Sequence, residues 1–368
     1  MRAFDCSVCG QVLVFENSVC VNCGTNYGFD PRVMDLVPVP TDGSAVMCAN
    51  LAVAACTWLV PAQDVANGQP LCACCRLTRT RPSDTDPEGL AAFARTEQAK
   101  RRLVYQLLDL GMPVAAQADD LVWGSAVPPV VAGGRRVPEG APGLAFDLLS
   151  SAQESVITGH ADGVVTIDLA EGQDAHREAM RVQMGEPYRT LLGHLRHEVG
   201  HYFWQVLVGT ASLDVVERFR RLFGDERADY GQALQRHYRE GAPAGWQETH
   251  VSAYATAHPH EDWAETFAHY LHIRDTLQTA ASFGMLVTGP DLPGVDHLVS
   301  VPVEAEVAAP EGGGTAAVQV YIDTWLPLTY ALNAVNRSMG KDDLYPFLLS
   351  SDVIEKLGFV HDVVTARG

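Results

Sequence analysis

Beyond Cys75 the chain contains no cysteine, although Cys75 is the ninth. A secreted, disulfide-stapled protein would spread its cysteines through the fold. Crowding at one end argues instead for metal-binding thiolates in a reducing compartment. No run of eighteen or more apolar residues occurs, so no membrane span is expected. The opening Met1-Arg2-Ala3-Phe4-Asp5-Cys6 has no apolar core of a leader; no secretory signal is expected, and the cytoplasm is the expected location. Basic side chains are scarce: 26 Lys and Arg stand against 45 Asp and Glu, a net charge of −19. Such a surface repels a phosphate backbone, which argues against a nucleic-acid partner. The few basic groupings, Arg76, Arg79 and Arg81 and then Lys100-Arg101-Arg102, read as solvated faces. No internal repeat is visible. The remaining composition, 47% hydrophobic and 19% charged over 368 residues, is that of a globular protein with one large domain and appendages, or two domains.

The cysteines fall into two sets. Cys6-x-x-Cys9-Gly10 and Cys20-x-x-Cys23-Gly24 are paired knuckles, each with a glycine that permits the tight turn bringing backbone amides towards thiolate sulfur. Two knuckles at the ends of a short hairpin make a closed tetrahedral site for structural zinc, and Gln11 to Glu16 between them reads as a strand. About 30 residues cannot bury a core of their own, so metal must hold this module. Cys48, Cys56, Cys72 and Cys75 offer a second four-cysteine site of less regular spacing, with Cys74 left over.

Further along, residues 191–206 carry Leu191, Leu192, Leu195, Val199, Tyr202, Phe203 and Val206 at helical spacing, with Pro187 suited to a first turn. Inside that helix stands His197-Glu198-x-x-His201. Positions i and i+4 share a helix face, so both imidazoles can reach one metal ion, with Glu198 beside them to handle a proton. His194, one turn earlier, is expected to pack behind the ligands. No third histidine follows at close spacing. Residues 254–272 supply carboxylates instead: Pro259 can open a helix, and Glu261 and Glu265, four apart, share its face. One of them completes a site of two histidines and a glutamate; the other can orient a ligand histidine through its free ring nitrogen.

Elsewhere, residues 91–110 read as an amphipathic helix and 125–143 as loop. Residues 144–149 and 164–169 read as strands around a Gly159/Gly163 turn, with an edge able to hold an extended substrate. Residues 213–223, 228–237 and 325–339 read as helices, and 301–316 as a surface insertion.

The pairing of H-E-x-x-H with E-x-x-x-E on a later helix resembles the gluzincin clan of thermolysin. Tyr254, seven residues before Glu261, and Trp263-Ala264-Glu265 are similar to the catalytic domain of anthrax lethal factor. That resemblance implies Glu261 as zinc ligand, Glu265 behind it, and Tyr254 as a hydrogen-bond donor in the transition state. An alternative frame takes Glu265 as the ligand, because Glu265-Thr266-Phe267-Ala268 resembles an aminopeptidase step. The whole chain resembles a bacterial family of zinc-binding metallopeptidases with an N-terminal zinc ribbon. The likeness lies in the four ribbon cysteines, Cys48, Cys56 to Pro61, Cys72 to Thr78, Arg196 to Tyr202, Phe223 to Glu226, Glu261 to His272 and Asn336 to Gly340. The implied architecture is α+β: a zinc ribbon over 1–35, a second cysteine-rich segment over 36–85 and a zincin-like metallopeptidase domain over 86–368. The expected function is zinc-dependent hydrolysis of peptide bonds by an activated water, with Glu198 as general base. One catalytic and one or two structural Zn2+ are expected, as are a peptide or protein substrate and a protein partner at the ribbon. The alternative is a non-catalytic binding module led by the ribbon, with the zincin domain as scaffold.

If all three sites fill, the purified chain holds three zinc ions, and exchanging Glu261 for alanine removes one of them. Metal analysis of the intact and substituted chains checks this; an unchanged count in the Glu261 variant would refute its assignment as ligand.

Overall fold

A computed structural model describes residues 2–117, 135–152, 155–184, 190–287, 301–302 and 314–366. Pro187, the loop over 125–134 and the insertion over 303–313 lie outside the described residues. The chain forms two compact units, the first reaching Met184 and then including the metal helix as far as Tyr202, the second starting at Phe203.

The first unit begins with β1 (Phe4–Asp5) and β2 (Val12–Leu13), an antiparallel pair. The strand expected over 11–16 is cut to two residues by a turn: the Asn17 side chain accepts from Val14 N at 2.7 Å, and Asn17 N donates back to Val14 O at 2.8 Å. The hairpin of β3 (Tyr27–Asp30) and β4 (Asp35–Pro38) follows. Next come β5 (Ala45–Met47), α1 (Leu51–Ala54), β6 (Leu59–Pro61) and α2 (Ala62–Ala66), with β5 and β6 paired antiparallel. Phe15, Phe29, Trp58 and Tyr105 form a shared aromatic core, with Phe29 and Trp58 centroids 4.8 Å apart and Phe15 and Tyr105 5.0 Å apart. Tyr105 belongs to the long helix α3 (Pro87–Asp109), so the cysteine-rich region is anchored on it. α3 starts four residues before the expected position. Pro87 presets the first turn, and Asp86 caps it by accepting from Gly89 N at 2.9 Å.

A mixed four-stranded sheet follows, built from β7 (Thr78–Thr80), β8 (Ala145–Leu149), β9 (Gly159–Ala161) and β10 (Val164–Asp168) in the order β7-β8-β10-β9. β8 is parallel to both β7 and β10, and its nearly continuous burial is what a central parallel strand requires. The hairpin is β9 to β10, not β8 to β10. Its Asp162-Gly163 corner has positive φ at both residues, 48° and 82°. Gly163 is obligatory on a second count, since a Cβ there would stand 2.2 Å from Gly143 O. The sheet leads through a 3-10 turn (Leu169–Gly172) and α4 (Asp174–Met184) to α5 (Leu191–Trp204), which carries H-E-x-x-H and ends in a π-helical turn over Gln205–Gly209.

The second unit is helical: α6 (Leu213–Phe223), α7 (Tyr230–Glu240), α8 (Pro259–Ser282), α9 (Gly314–Ser338) and α10 (Ser351–Thr365). Its core includes Phe219, Phe223, Trp263 and Phe359. α9 starts eleven residues earlier than the sequence suggests, fixed where Asp362 accepts from Gly314 N at 2.6 Å. α10 was not anticipated, although Val353, Leu357, Val360 and Val364 keep helical spacing and Ser350 caps its first turn. Among the described residues no helix is long and apolar enough to cross a membrane.

The aromatic core makes the cysteine-rich region part of the first unit's stability. Phe29→Ala should lower unfolding free energy by about 3–5 kcal/mol, read from the denaturant midpoint; a shift under about 1 kcal/mol would show that this core carries little.

Candidate metal centres

Both cysteine sets converge. Cys6, Cys9, Cys20 and Cys23 have sulfur atoms within 4.8 Å of one another, as do Cys48, Cys56, Cys72 and Cys75. In the first group Cys6 Sγ lies 3.5 Å from Cys23 Sγ, and Cys9 Sγ 3.6 Å from Cys20 Sγ. In the second, Cys56 Sγ is 3.6 Å from Cys72 Sγ. Four sulfurs around one zinc at about 2.3 Å would be about 3.8 Å apart, so both groups fit that ion. The knuckle glycines Gly10 and Gly24 both adopt φ of 73°, and their amides donate to Cys6 O and Cys20 O. The Tyr27 hydroxyl donates to Cys6 Sγ at 3.2 Å. In the second group the Cys72 amide lies 3.3 Å from Cys48 Sγ and the Cys75 amide 3.4 Å from Cys72 Sγ. Cys9 and Cys23 are exposed, whereas all four cysteines of the second group are buried.

Sequence reading takes Lys100 and Arg101 as solvated. The structure corrects this: Lys100 is fully buried and Arg101 is 4% exposed. Lys100 Nζ bonds Glu97 Oε1 at 2.6 Å and also donates to Thr78 Oγ1. Arg101 donates to Ala54 O at 2.9 Å, with its other terminal nitrogen 4.0 Å from Glu97 Oε2. Cys75 Sγ lies 3.8 Å from that same oxygen. Burial pushes the Lys100 pKa down, but Glu97, Cys74 and Cys75 overcome it and raise it to about 12. The other arginines are paired at or near the surface, Arg79 with Asp147, Arg81 with Asp84 and Arg102 with Glu16.

On α5, the residues of H-E-x-x-H meet as helical spacing dictates. His197 Nε2 and His201 Nε2 are 3.2 Å apart. Two imidazole nitrogens at about 2.0–2.1 Å from a tetrahedral zinc would be about 3.3–3.4 Å apart, so this pair fits the ion as well. α5 is held in the first unit by Arg196 Nε donating to Gln106 Oε1 on α3 at 3.2 Å and by Tyr202 donating to Pro142 O at 3.2 Å. His160 on the edge strand β9 lies ring-parallel to His201, centroids 6.5 Å apart. Burial and the His201 charge push its pKa down to about 4. Glu198 is buried, which pushes its pKa up. The hydrogen bond from His194 and the neighbouring imidazoles outweigh that and hold it below the usual carboxylate value.

In the second unit, Glu261 sits in the first turn of α8, where the helix dipole favours a carboxylate. It is 1% exposed, and the Tyr230 hydroxyl donates to its Oε1 at 2.6 Å. Its neighbour Asp262 faces elsewhere, onto Lys356 Nζ of α10 at 2.6 Å, and Lys356 also donates to Thr249 O. Burial carries the Asp262 pKa up to about 7 against the pull of Lys356. Glu265 accepts from Ser252 Oγ at 2.6 Å. Tyr254 lies on a 3-10 turn before α8, its pKa raised by burial and by Glu261. Arg337 is paired with Asp343 at the end of α9. Sequence reasoning passed over Tyr230, Glu171, His160 and Glu97. Only His160, in a strand beside an Asp-Gly corner, carried any local signal.

The family described as "Putative zinc-binding metallo-peptidase" matches residues 131–363, and a zinc-ribbon domain matches residues 3–86. Proteins from Mycobacterium bovis and Mycobacterium tuberculosis, each named "Uncharacterized protein", are 50% identical to this chain over 364 residues, 99% of this chain and 95% of theirs. No solved structure matches.

Lys100→Met would leave the Glu97 carboxylate buried without its closest cation. Breaking a buried pair from one side costs about 3–5 kcal/mol. Thermal or denaturant unfolding of the zinc-loaded chain should register that loss. Unchanged stability would mean that Arg101 alone satisfies Glu97.

Proposed function

The chain belongs to the zinc-binding metallo-peptidase family, and on that premise we propose that it is a cytoplasmic, gluzincin-type peptidase that hydrolyses peptide bonds with Glu198 as general base. The observation that carries the reading is the approach of His197 Nε2 to His201 Nε2, 3.2 Å, the separation that two ligands of one tetrahedral zinc adopt. Glu261 is the third ligand in this reading. It is an interior carboxylate steadied by Tyr230. Within the second unit the helix that bears it packs on Phe203 and Trp204, Phe203 stacking on Phe267 at 5.5 Å and Trp204 meeting His260 edge-on at 4.5 Å. Glu265, held by Ser252, is assigned the supporting place.

Zinc bound by these donors supplies Lewis acidity, lowering the pKa of an attacking water towards about 7 and polarising the scissile carbonyl. Glu198 takes the proton of that water and passes it to the departing amine. Its depressed pKa keeps it ionised and able to accept the proton at neutral pH. Tyr254 donates to the developing oxyanion, a contact worth about 3 kcal/mol in other enzymes. The edge strand β9 holds an extended peptide by strand addition. The two cysteine groups hold structural zinc. A protein partner at the ribbon is a second strand of the proposal, favoured by the exposure of Val8, Val12, Val14, Val19 and Val21 on the ribbon, 42–86%.

A screen of proteome-derived peptides, with and without a chelator, should reveal chelator-sensitive cleavage. Glu198→Gln should retain its zinc and lose about 10²–10⁴-fold in rate; full activity in that variant would sink the mechanism.

A further inference from the structure

Between the β3–β4 turn and β6 the first unit holds a cavity of about 180 Å³, room for about ten waters or one small organic molecule. Pro31 accounts for the opening. Phe29 N donates to Thr57 O at 2.8 Å, and Phe29 and Trp58 form a parallel bridge. The next rung would use the N–H of residue 31, and proline has none. The two segments part at that point, and Pro31, Leu59, Val60 and Ala73 line the space between them. Asp30, Arg32, Asp64 and Arg76 line it as well. We propose that this cavity is a binding site for a free apolar α-amino acid, with its carboxylate on Arg76, its ammonium on Asp64 and its side chain against the apolar lining. The peptidase reading uses none of these residues, and the proposal stands apart from it.

Of the four charged side chains, two satisfy each other. Arg32 donates to Asp30 through Nε at 2.9 Å and through Nη2 at 2.6 Å. The other two do not. Sequence reading takes Arg76 as solvated, yet its side chain is only 17% exposed. Its Nε is buried with no hydrogen-bond partner among the described residues. Its ion pair with Asp64, from Nη2 to Oδ2, spans 3.8 Å, too long for a hydrogen bond. A guanidinium has five donors in a rigid fork, and leaving them unused in a largely buried side chain is costly. A planar carboxylate is the group that this fork fits best. Charge balance narrows the ligand further. Two arginines and two aspartates cancel, so a lone anion would bring uncompensated charge into a chain already at −19. A zwitterion adds no net charge, and its ammonium meets the aspartate that stands beside Arg76. The apolar lining at Pro31, Val60 and Ala73 then favours an aliphatic side chain over a charged one.

The test titrates the full zinc-loaded chain by calorimetry with L-leucine, leucinamide and N-acetylleucine. Leucine should bind with a Kd of about 1 mM or tighter. Leucinamide lacks the carboxylate and N-acetylleucine the ammonium, so each should bind about tenfold more weakly or worse. Arg76→Gln should weaken leucine by about tenfold or more. Asp64→Asn should weaken leucine and leave N-acetylleucine unchanged. Methyl NMR of the wild type should place the leucine-induced shifts at Val60 and Ala73. Absence of leucine binding at about 10 mM, shifts elsewhere, or unchanged affinity in Arg76→Gln overturns the proposal. So does binding that is lost in His197→Ala and kept in Arg76→Gln, which would place the amino acid on the metal helix. N-acetylleucine binding as tightly as leucine overturns the zwitterion in favour of peptide chain ends. Should Arg76→Gln fail to fold, Asp64→Asn decides, since the Asp64 side chain is 37% exposed.

Discussion

Two buried cations with one carboxylate between them cannot stand alone in a protein interior. Lys100 and Arg101 face Glu97, and one terminal nitrogen of Arg101 has no hydrogen-bond partner among the described residues. Further negative charge would come from the second cysteine group, whose Cys75 Sγ lies 3.8 Å from Glu97 Oε2. Four thiolates on one zinc would carry a net charge of about −2, which more than offsets the single excess positive charge. The metal group and the middle of α3 are therefore parts of one electrostatic unit. Thr78, the first residue of β7, is bonded into it as well, so the sheet edge starts from the same point. Gln106 on α3 then holds Arg196 on α5. A continuous series of contacts leads from the interior cysteines to the helix of His197 and His201.

What could be read from the sequence was local. The ribbon knuckles are coded within four or five residues, and their glycines adopt the positive φ that the pattern demands. The His197/His201 pair is set by helical pitch alone. The mixed helix and sheet class and the family likeness followed from such pieces. Relations across distance were not legible. Glu171 Oε2 comes within 3.2 Å of His194 Nδ1 only because β10 ends in a turn beside α5, and no spacing rule links residues 23 apart. Lys100 and Arg101 look like surface charge, since the thiolates and carboxylate that make their burial tolerable are set by tertiary packing. The strand pairing was misjudged for a different reason. Val164 to Asp168 and Ala145 to Leu149 both have strand composition, but β9 between them is three residues long and polar, and it takes the hairpin place.

Neighbouring carboxylates at the start of α8 show how helix geometry separates roles. Glu261 and Asp262 are adjacent in sequence, yet successive side chains leave a helix about 100° apart. One meets the Tyr230 hydroxyl and the other the Lys356 ammonium. Lys356 also binds a carbonyl before the helix, so Asp262 fixes where α8 begins and hence where Glu261 is held.

The two cysteine groups differ in access rather than in chemistry. The ribbon shows Cys9 and Cys23 to solvent, while every cysteine of the second group is enclosed. Ligand exchange with a competing chelator needs an approach route to the sulfur, so an ion held by the ribbon would exchange with solution faster than one held by the second group. When zinc is scarce the outer group would lose its ion first, and the interior group would keep α5 supported.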